Sequence, residues 1–261
     1  MNPAFLPMWV TAVYAALVGL IVGSFLNVVI HRLPRGLSTI RPRSRCPYCD
    51  GPIRARDNIP VLGWLALKGR CRRCHAPISI RYPLIESLTA ALFAGCAVAF
   101  GPTPTALAAA IFCALLVALA GIDLEHFLLP DRLTLPGAAF GLVLQPWLPS
   151  TSLLDAVLGV LIGAGVLILV INTWFWLRNE ESMGLGDVNM LAMIGAFLGW
   201  QGVAATLFFA SLGGAVAGLV MVAWGRLTLK GKLPFGLFLA LGALVSLFAG
   251  EDLFRWYAGL L

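Results

Sequence analysis

Eight apolar stretches, at about residues 8–30, 83–100, 105–122, 133–149, 153–177, 187–200, 203–225 and 233–250, leave this chain little choice of fold. Stretches of this length with almost no charge can satisfy their backbone polar groups in lipid as helices, whereas irregular or open-edged segments would strand N–H and C=O groups in hydrocarbon. Composition agrees, with 60% hydrophobic and 11% charged residues, against roughly a quarter charged in soluble domains. The expected class is all-α: a polytopic membrane protein of about eight transmembrane helices, the sixth stretch being the shortest.

The basic residues set the expected orientation. Of 18 Lys and Arg, twelve lie between Arg32 and Arg81, and Arg132, Arg178, Arg226, Lys230 and Lys232 fall in later loops that alternating spans put on the same side. Only Arg255 falls opposite, so the positive-inside rule puts both termini outside and the 31–82 loop in the cytoplasm. Topology thus accounts for the net charge of +6 without nucleic acid as a partner. The first stretch lacks a preceding basic run and an A-x-A-like site, and it reads as a retained helix.

The expected organisation is a first transmembrane helix over 1–30, a cytoplasmic loop domain over 31–82 and a membrane domain over 83–261. About fifty residues bury little core, so a unit of the size of 31–82 needs a staple. Cys46-Pro-Tyr-Cys49 and Cys71-Arg-Arg-Cys74 are two C-x-x-C pairs separated by 21 residues, close to the spacing of a four-cysteine zinc site. Each turn offers two thiolates, two turns complete a tetrahedron with no open position, and the surrounding arginines favour the thiolate form. Disulfides or a redox dithiol are the rival readings, opposed by the cytoplasmic placement and by the lack of a βαβ context. Cys96 and Cys113 lie within apolar stretches and read as small fillers. No repeat of clear period is evident, and glycines such as Gly213, Gly214 and Gly218 suit close helix packing in lipid.

Carboxylates at the edge of a membrane are costly, and seven gather on the expected inner side: Glu86, Asp123, Glu125, Asp131, Glu180, Glu181 and Asp187. Asp50 and Asp57 read as turn or surface charges of the cysteine loop, and Asp155, Glu251 and Asp252 as interfacial. Asp187 closes Gly184-Leu-Gly-Asp187 at a helix entrance. It reads either as a helix cap or as a reactive carboxylate beside glycines that let an extended substrate approach. Asp123 reads either as the charge that stops the third helix or as the partner of Asp187. Asp131 is the rival, although Pro130-Asp131 looks like the start of a helix. Two aspartates sharing a proton would leave one as base to activate water and the other as acid to polarise a carbonyl. A proton or cation transporter and a membrane-anchored zinc module that only binds a partner are the competing classes.

The chain resembles the type IV prepilin peptidases. The resemblance is carried by Gly23-Ser-Phe-Leu-Asn-Val-Val-Ile-His-Arg-Leu-Pro34, the two cysteine pairs with Asn58-Ile-Pro60 and Trp64-Leu65 between them, and Ile78-Ser-Ile-Arg-Tyr-Pro-Leu-Ile-Glu86. Asp123 through Pro130-Asp131, Gly184-Leu-Gly-Asp-Val188 and Pro234-Phe235-Gly236 complete it. It implies an inner-membrane aspartyl endopeptidase with Asp123 and Asp187 as catalytic residues, cutting a short basic leader from prepilins and pseudopilins after a glycine on the cytoplasmic side. It also implies methylation of the new N-terminus from S-adenosylmethionine. The chain departs from the family pattern at Asn189, where Lys is usual, and at Leu237, where Pro is usual. On this reading Glu125, Asp131, Glu180 and Glu181 hold the basic leader, Glu86 lies nearer the cleavage point, and the helices and lipid take the apolar part of the prepilin.

Overall fold

The computed structural model describes residues 7–41, 44–148, 152–179, 183–225 and 233–259, and among them finds helices and two isolated β-bridges but no strand. The helices are α1 (Met8–Arg32), α2 (Leu62–Ala66), α3 (Arg81–Phe100), α4 (Pro104–His126), α5 (Asp131–Val143), α6 (Leu153–Arg178), α7 (Leu185–Ala223) and α8 (Phe235–Ala258). Each of the eight apolar stretches is helical. Five of the helices (α1, α3, α4, α6 and α7) are long and apolar enough to cross a membrane, and α8 adds the shorter apolar run Phe235–Gly250.

Helix ends follow local chemistry. Ser152 and Asp155 form a reciprocal capping box at the start of α6, the Ser152 hydroxyl accepting the Asp155 N–H and the Asp155 carboxylate accepting the Ser152 N–H, both at 3.1 Å. α4 stops at His126, where Phe127 takes a positive φ of 51°. α5 is 13 residues long, about 20 Å, because Leu144 leads into a 3₁₀ turn over Gln145–Trp147. The stretch expected to span as 133–149 is therefore a shorter helix.

At 39 residues α7 would measure about 58 Å, nearly twice the hydrocarbon thickness of about 30 Å. Gly199 breaks it, with φ 68° and ψ −176°, a conformation open to glycine. Packing shows what the break does. Glycine positions 159 and 163 of α6 face Gly195 and Leu191, which makes α6 antiparallel to residues 185–198. On the other leg Gly202, Gly242 and Gly218 face Ser246, Thr206 and Leu233 respectively, so α8 runs antiparallel to 200–223. Both Gly186 and Gly236 touch Leu129, so α7 and α8 begin at one level and the 200–223 leg returns to it. The sixth and seventh stretches are thus the two legs of a hairpin.

The Cα packing divides the chain into two units, Met1–Ala118 and Leu119–Leu261, with the division inside α4. In the first unit, α1 lies on α3 through missing side chains: a Cβ on Gly19 would lie 2.7 Å from Ala90 Cα, and one on Gly23 2.8 Å from Glu86 Cα. Cys96 and Cys113 are buried with their sulfurs 3.8 Å apart. In the second unit α6 and α7 meet backbone to backbone, a Cβ on Gly159 falling 2.5 Å from the Gly195 carbonyl oxygen. Lipid supplies no hydrophobic drive between helices, so such close approach, and the dispersion contact it permits, holds them together. Gly195→Leu has no room against α6 and should lower the thermal unfolding temperature in detergent by an overpacking cost of about 1–3 kcal/mol. Gly165→Leu, where an added Cβ meets nothing within 4 Å, should leave that temperature unchanged.

Candidate active site and thiol cluster

The segment between α1 and α3 is built from two copies of one turn. Arg45-Cys-Pro-Tyr-Cys-Asp-Gly-Pro-Ile53 and Arg70-Cys-Arg-Arg-Cys-His-Ala-Pro-Ile78 match at both ends and at both cysteines with an offset of 25 residues. Their hydrogen bonds match too. Cys46 N–H donates to Gly51 O at 3.0 Å and Cys71 N–H to Ala76 O at 2.8 Å, while Asp50 and His75, both at positive φ, donate back to the carbonyls of Cys46 and Cys71. Bridges Arg45–Pro52 and Arg70–Pro77 close the two turns. This repeat, absent from the expectation of no clear period, is short enough to be hidden by the differing residues inside it.

The two turns bring the ligand sulfurs of Cys46, Cys49, Cys71 and Cys74 within 4.8 Å of one another. Cys46 and Cys74 sulfurs are 3.7 Å apart, against the edge of about 3.8 Å that four thiolates at 2.3 Å from a tetrahedral centre would have. The cluster fits a metal ion. Backbone N–H groups of Cys74 and Arg73 bring the Cys71 thiol down to about 6. The Ala76 N–H favours the Cys74 thiolate, but loss of water and the sulfurs of Cys49, Cys71 and Cys46 outweigh it and push Cys74 up to about 12. A cation held by the four sulfurs would remove that conflict by taking the place of the remaining protons.

Around the sulfurs, side chains tie the turns together. The Arg72 guanidinium grips Asp57 with both prongs, at 2.9 Å from Nε and 2.7 Å from Nη2, and holds that carboxyl below its usual range. This contribution is complete above the ordinary carboxylate value near 4 and is lost as pH falls through the lowered one. Trp64 Nε1–H donates to Ile78 O at 3.0 Å. Val61, a β-branched residue at φ 60°, donates its N–H at 2.7 Å to Glu86 Oε2 on α3. Such a backbone costs on the order of 1–3 kcal/mol and needs fixed surroundings. Here Glu86, 6% exposed, supplies them, and the Ser24 hydroxyl donates to the same carboxylate. Glu86 is thereby committed to the cysteine segment.

In the second unit the carboxylates gather around Leu129. A Cβ on Gly186 would lie 2.8 Å from Leu129 Cβ, and one on Gly236 3.0 Å from both Leu129 methyl carbons and 2.9 Å from Asp123 Oδ2. The Gly-Leu-Gly-Asp turn, the start of α8 and the end of α4 therefore converge on one buried leucine. Asp123 is 5% exposed and its carboxylate accepts the N–H groups of Leu237, at 3.1 Å, and of Gly236. Asp187 sits at the third position of α7 and accepts the N–H of Gly184, the residue before that helix, so its cap role is the reverse half of a capping box. Asp187 follows Gly186 directly, so the start of α7 brings it to the corner where Asp123 meets Gly236.

The glycines divide their work. The space of Gly186 is filled by Leu129, whereas a Cβ on Gly184 would meet nothing nearer than 3.9 Å, so the open approach lies at Gly184. Asp131 is exposed and accepts Asn189 Nδ2–H at 2.8 Å. Glu125 lies 3.8 Å from His126 Nε2. Glu180 and Glu181 lie outside the described residues. Both departures from the family pattern are at hydrogen bonds of this corner: Asn189 on Asp131, and the Leu237 N–H, which a proline would lack, on Asp123. Leu129, Ser24 and Val61 escaped the sequence reading because an isolated apolar or small residue carries no chemical signal.

Two carboxylates at one helical corner and four clustered thiols between α1 and α3, in a chain with several helices long and apolar enough to cross a membrane, mark an integral-membrane protein with a candidate carboxylate site. Two family models match the chain, the Bacterial Peptidase A24 N-terminal domain over residues 17–100 and the Type IV leader peptidase family over 110–219. Similar proteins include the prepilin leader peptidase/N-methyltransferase of Burkholderia pseudomallei (strain 1026b), 41% identical with 98% of this chain and 91% of the relative covered. That of Aeromonas hydrophila is 41% identical over 95% and 94% of the two chains, and that of Legionella pneumophila 35% over 96% of each. No solved structure matches. The chain belongs to the type IV leader peptidase family. Purified chain should carry one metal ion, measured by plasma mass spectrometry, and Cys46→Ser or Cys71→Ser should lose it while α1 and α3 remain helical by circular dichroism.

Proposed function

We propose that this protein is an integral-membrane aspartyl endopeptidase that removes the short basic leader from type IV prepilins and pseudopilins, after a glycine, at the cytoplasmic face of the inner membrane. The observation that carries the reading is the convergence of Asp123 and Asp187 on Leu129, in a chain 41% identical over nearly its whole length to a prepilin leader peptidase/N-methyltransferase.

In this reading Asp123 and Asp187 are the catalytic pair. Held close, they do not ionise independently, so one acts as base on a water and the other as acid on the scissile carbonyl. The donors from Gly236 and Leu237 fix the Asp123 carboxylate, and the Gly184 N–H fixes that of Asp187, so the pair is oriented before substrate arrives. The open backbone at Gly184 admits an extended chain beside Asp187. Glu125, Asp131, Glu180 and Glu181 attract the basic leader, Gly186 supports the pair by seating Leu129, and Glu86 supports the cysteine segment.

The metal is assigned as structural Zn²⁺ held by Cys46, Cys49, Cys71 and Cys74, since four sulfurs leave no open position for chemistry. The names of the relatives support a second activity, methylation of the new N-terminus. S-adenosylmethionine would supply the methyl group, and the cysteine segment with its adjoining helices is the region assigned to it.

With a purified prepilin carrying glycine before its apolar helix, Asp123→Asn and Asp187→Asn should each reduce cleavage by about a hundredfold or more, while Asp131→Asn retains it. Loss confined to Asp131→Asn would move the pair, and full activity in all three variants would exclude an aspartyl mechanism. Leu237→Pro deletes one donor to Asp123 at a first-turn position that tolerates proline. It should lower kcat by about tenfold with KM unchanged, whereas Leu237→Ala, which keeps the N–H, should match the parent.

A further inference from the structure

Helix α2, between the two cysteine turns, carries an apolar face that no described residue covers. Leu62 and Leu65 of α2, and Ile59 in the extended backbone before it, are 63%, 56% and 48% exposed. The opposite face is occupied: Gly63 rests on the Asp57 carbonyl and Trp64 is bonded to Ile78.

The place of α2 along the membrane normal follows from its anchor. Val61, immediately before α2, donates its N–H to Glu86, and Glu86 stands five residues into α3. Side chains lean toward the start of their helix, so Val61 lies beside the first turns of that span. α3 has 20 residues, about 30 Å, which is the thickness of the hydrocarbon core and leaves no length to spare. The beginning of α3 must therefore lie at the boundary of lipid and water, and α2 with it. The exposed face continues an apolar surface, since Ile80 and Leu84 at the start of α3 are exposed as well.

Charge selects the kind of surface. Arg54, Arg56, Lys68 and Arg70 flank α2 and are exposed, and the segment from 32 to 81 holds twelve Lys and Arg against two Asp. A basic leader peptide would be repelled by this side, and anionic headgroups would be attracted.

We propose that α2 is a membrane-surface anchor. Ile59, Leu62 and Leu65 enter the boundary between headgroups and acyl chains of an anionic bilayer, and the flanking arginines and lysine meet its phosphates. The cysteine segment then lies against the bilayer instead of standing off in water. This inference does not depend on the peptidase reading.

The test places a fluorescent non-canonical amino acid at Leu65 of the full chain, reconstituted in vesicles of phosphatidylglycerol and phosphatidylcholine brominated near the headgroup. Quenching by the bromolipid with protection from aqueous iodide is expected, as is weaker bromolipid quenching when phosphatidylglycerol is omitted. Iodide quenching without bromolipid quenching would overturn the anchor, and equal quenching without phosphatidylglycerol would overturn the choice of an anionic surface. Leu62→Glu, or the milder Leu62→Ser, should release the probe while bound metal stays at one ion per chain. A probe still quenched by bromolipid in a metal-loaded Leu62→Glu variant would also count against it.

Discussion

Leu129 wedged between two glycines is the contact on which the candidate site depends. A side chain at Gly186 or Gly236 would occupy the volume that Leu129 fills, so both bare backbones are needed for the ends of α4, α7 and α8 to meet. Leu129 is itself buried. Its methyl carbons lie beside Gly236, where the Asp123 carboxylate also rests, and its Cβ lies beside Gly186 of the Gly-Leu-Gly-Asp turn. A hydrophobic residue with no chemistry of its own thus sets where the ends of α4, α7 and α8 meet.

Polar contacts then refine what this wedge brings together. Among the described residues the Asp123 carboxylate is held by two backbone N–H groups of α8. Asp131, eight residues on, is tied to Asn189 by a neutral amide, which fixes the loop carrying Leu129 to the first turns of α7 without adding a charge. In the first unit Glu86 does comparable work, spending a buried carboxylate to hold Val61 in a backbone shape that a β-branched residue resists.

Much of this architecture was legible in the sequence because lipid imposes a simple rule on apolar stretches. The helix content and the four cysteines as one cluster could be anticipated. What escaped depends on backbone geometry. The sixth and seventh stretches were separable in sequence, but that a single residue at positive φ, Gly199, joins them was not, since nothing distinguishes Gly199 in sequence from the packing glycines around it. The two cysteine turns share their outline but differ at four of nine positions, so their kinship lies in hydrogen bonds more than in letters. The glycine before Asp187 was expected to make room for substrate, yet Gly186 makes room for Leu129, a partner 57 residues away that no local pattern reveals.

The hairpin at Gly199 has a mechanical consequence for this corner. Asp187 begins one leg, the other leg is zipped to α8 from Gly202 to Gly218, and α8 carries the N–H groups that hold Asp123. The acid on α7 and the donors on α8 therefore ride on one stiff frame, and sliding between those helices would have to break contacts along the whole zipper. The short non-helical link at 127–130, which enters at the positive φ of Phe127 and ends at Pro130, is pinned to the same frame by the buried Leu129 and by the Asp131–Asn189 hydrogen bond. The two carboxylates are therefore set as by a jig, from three helix ends clamped together rather than from any one of them.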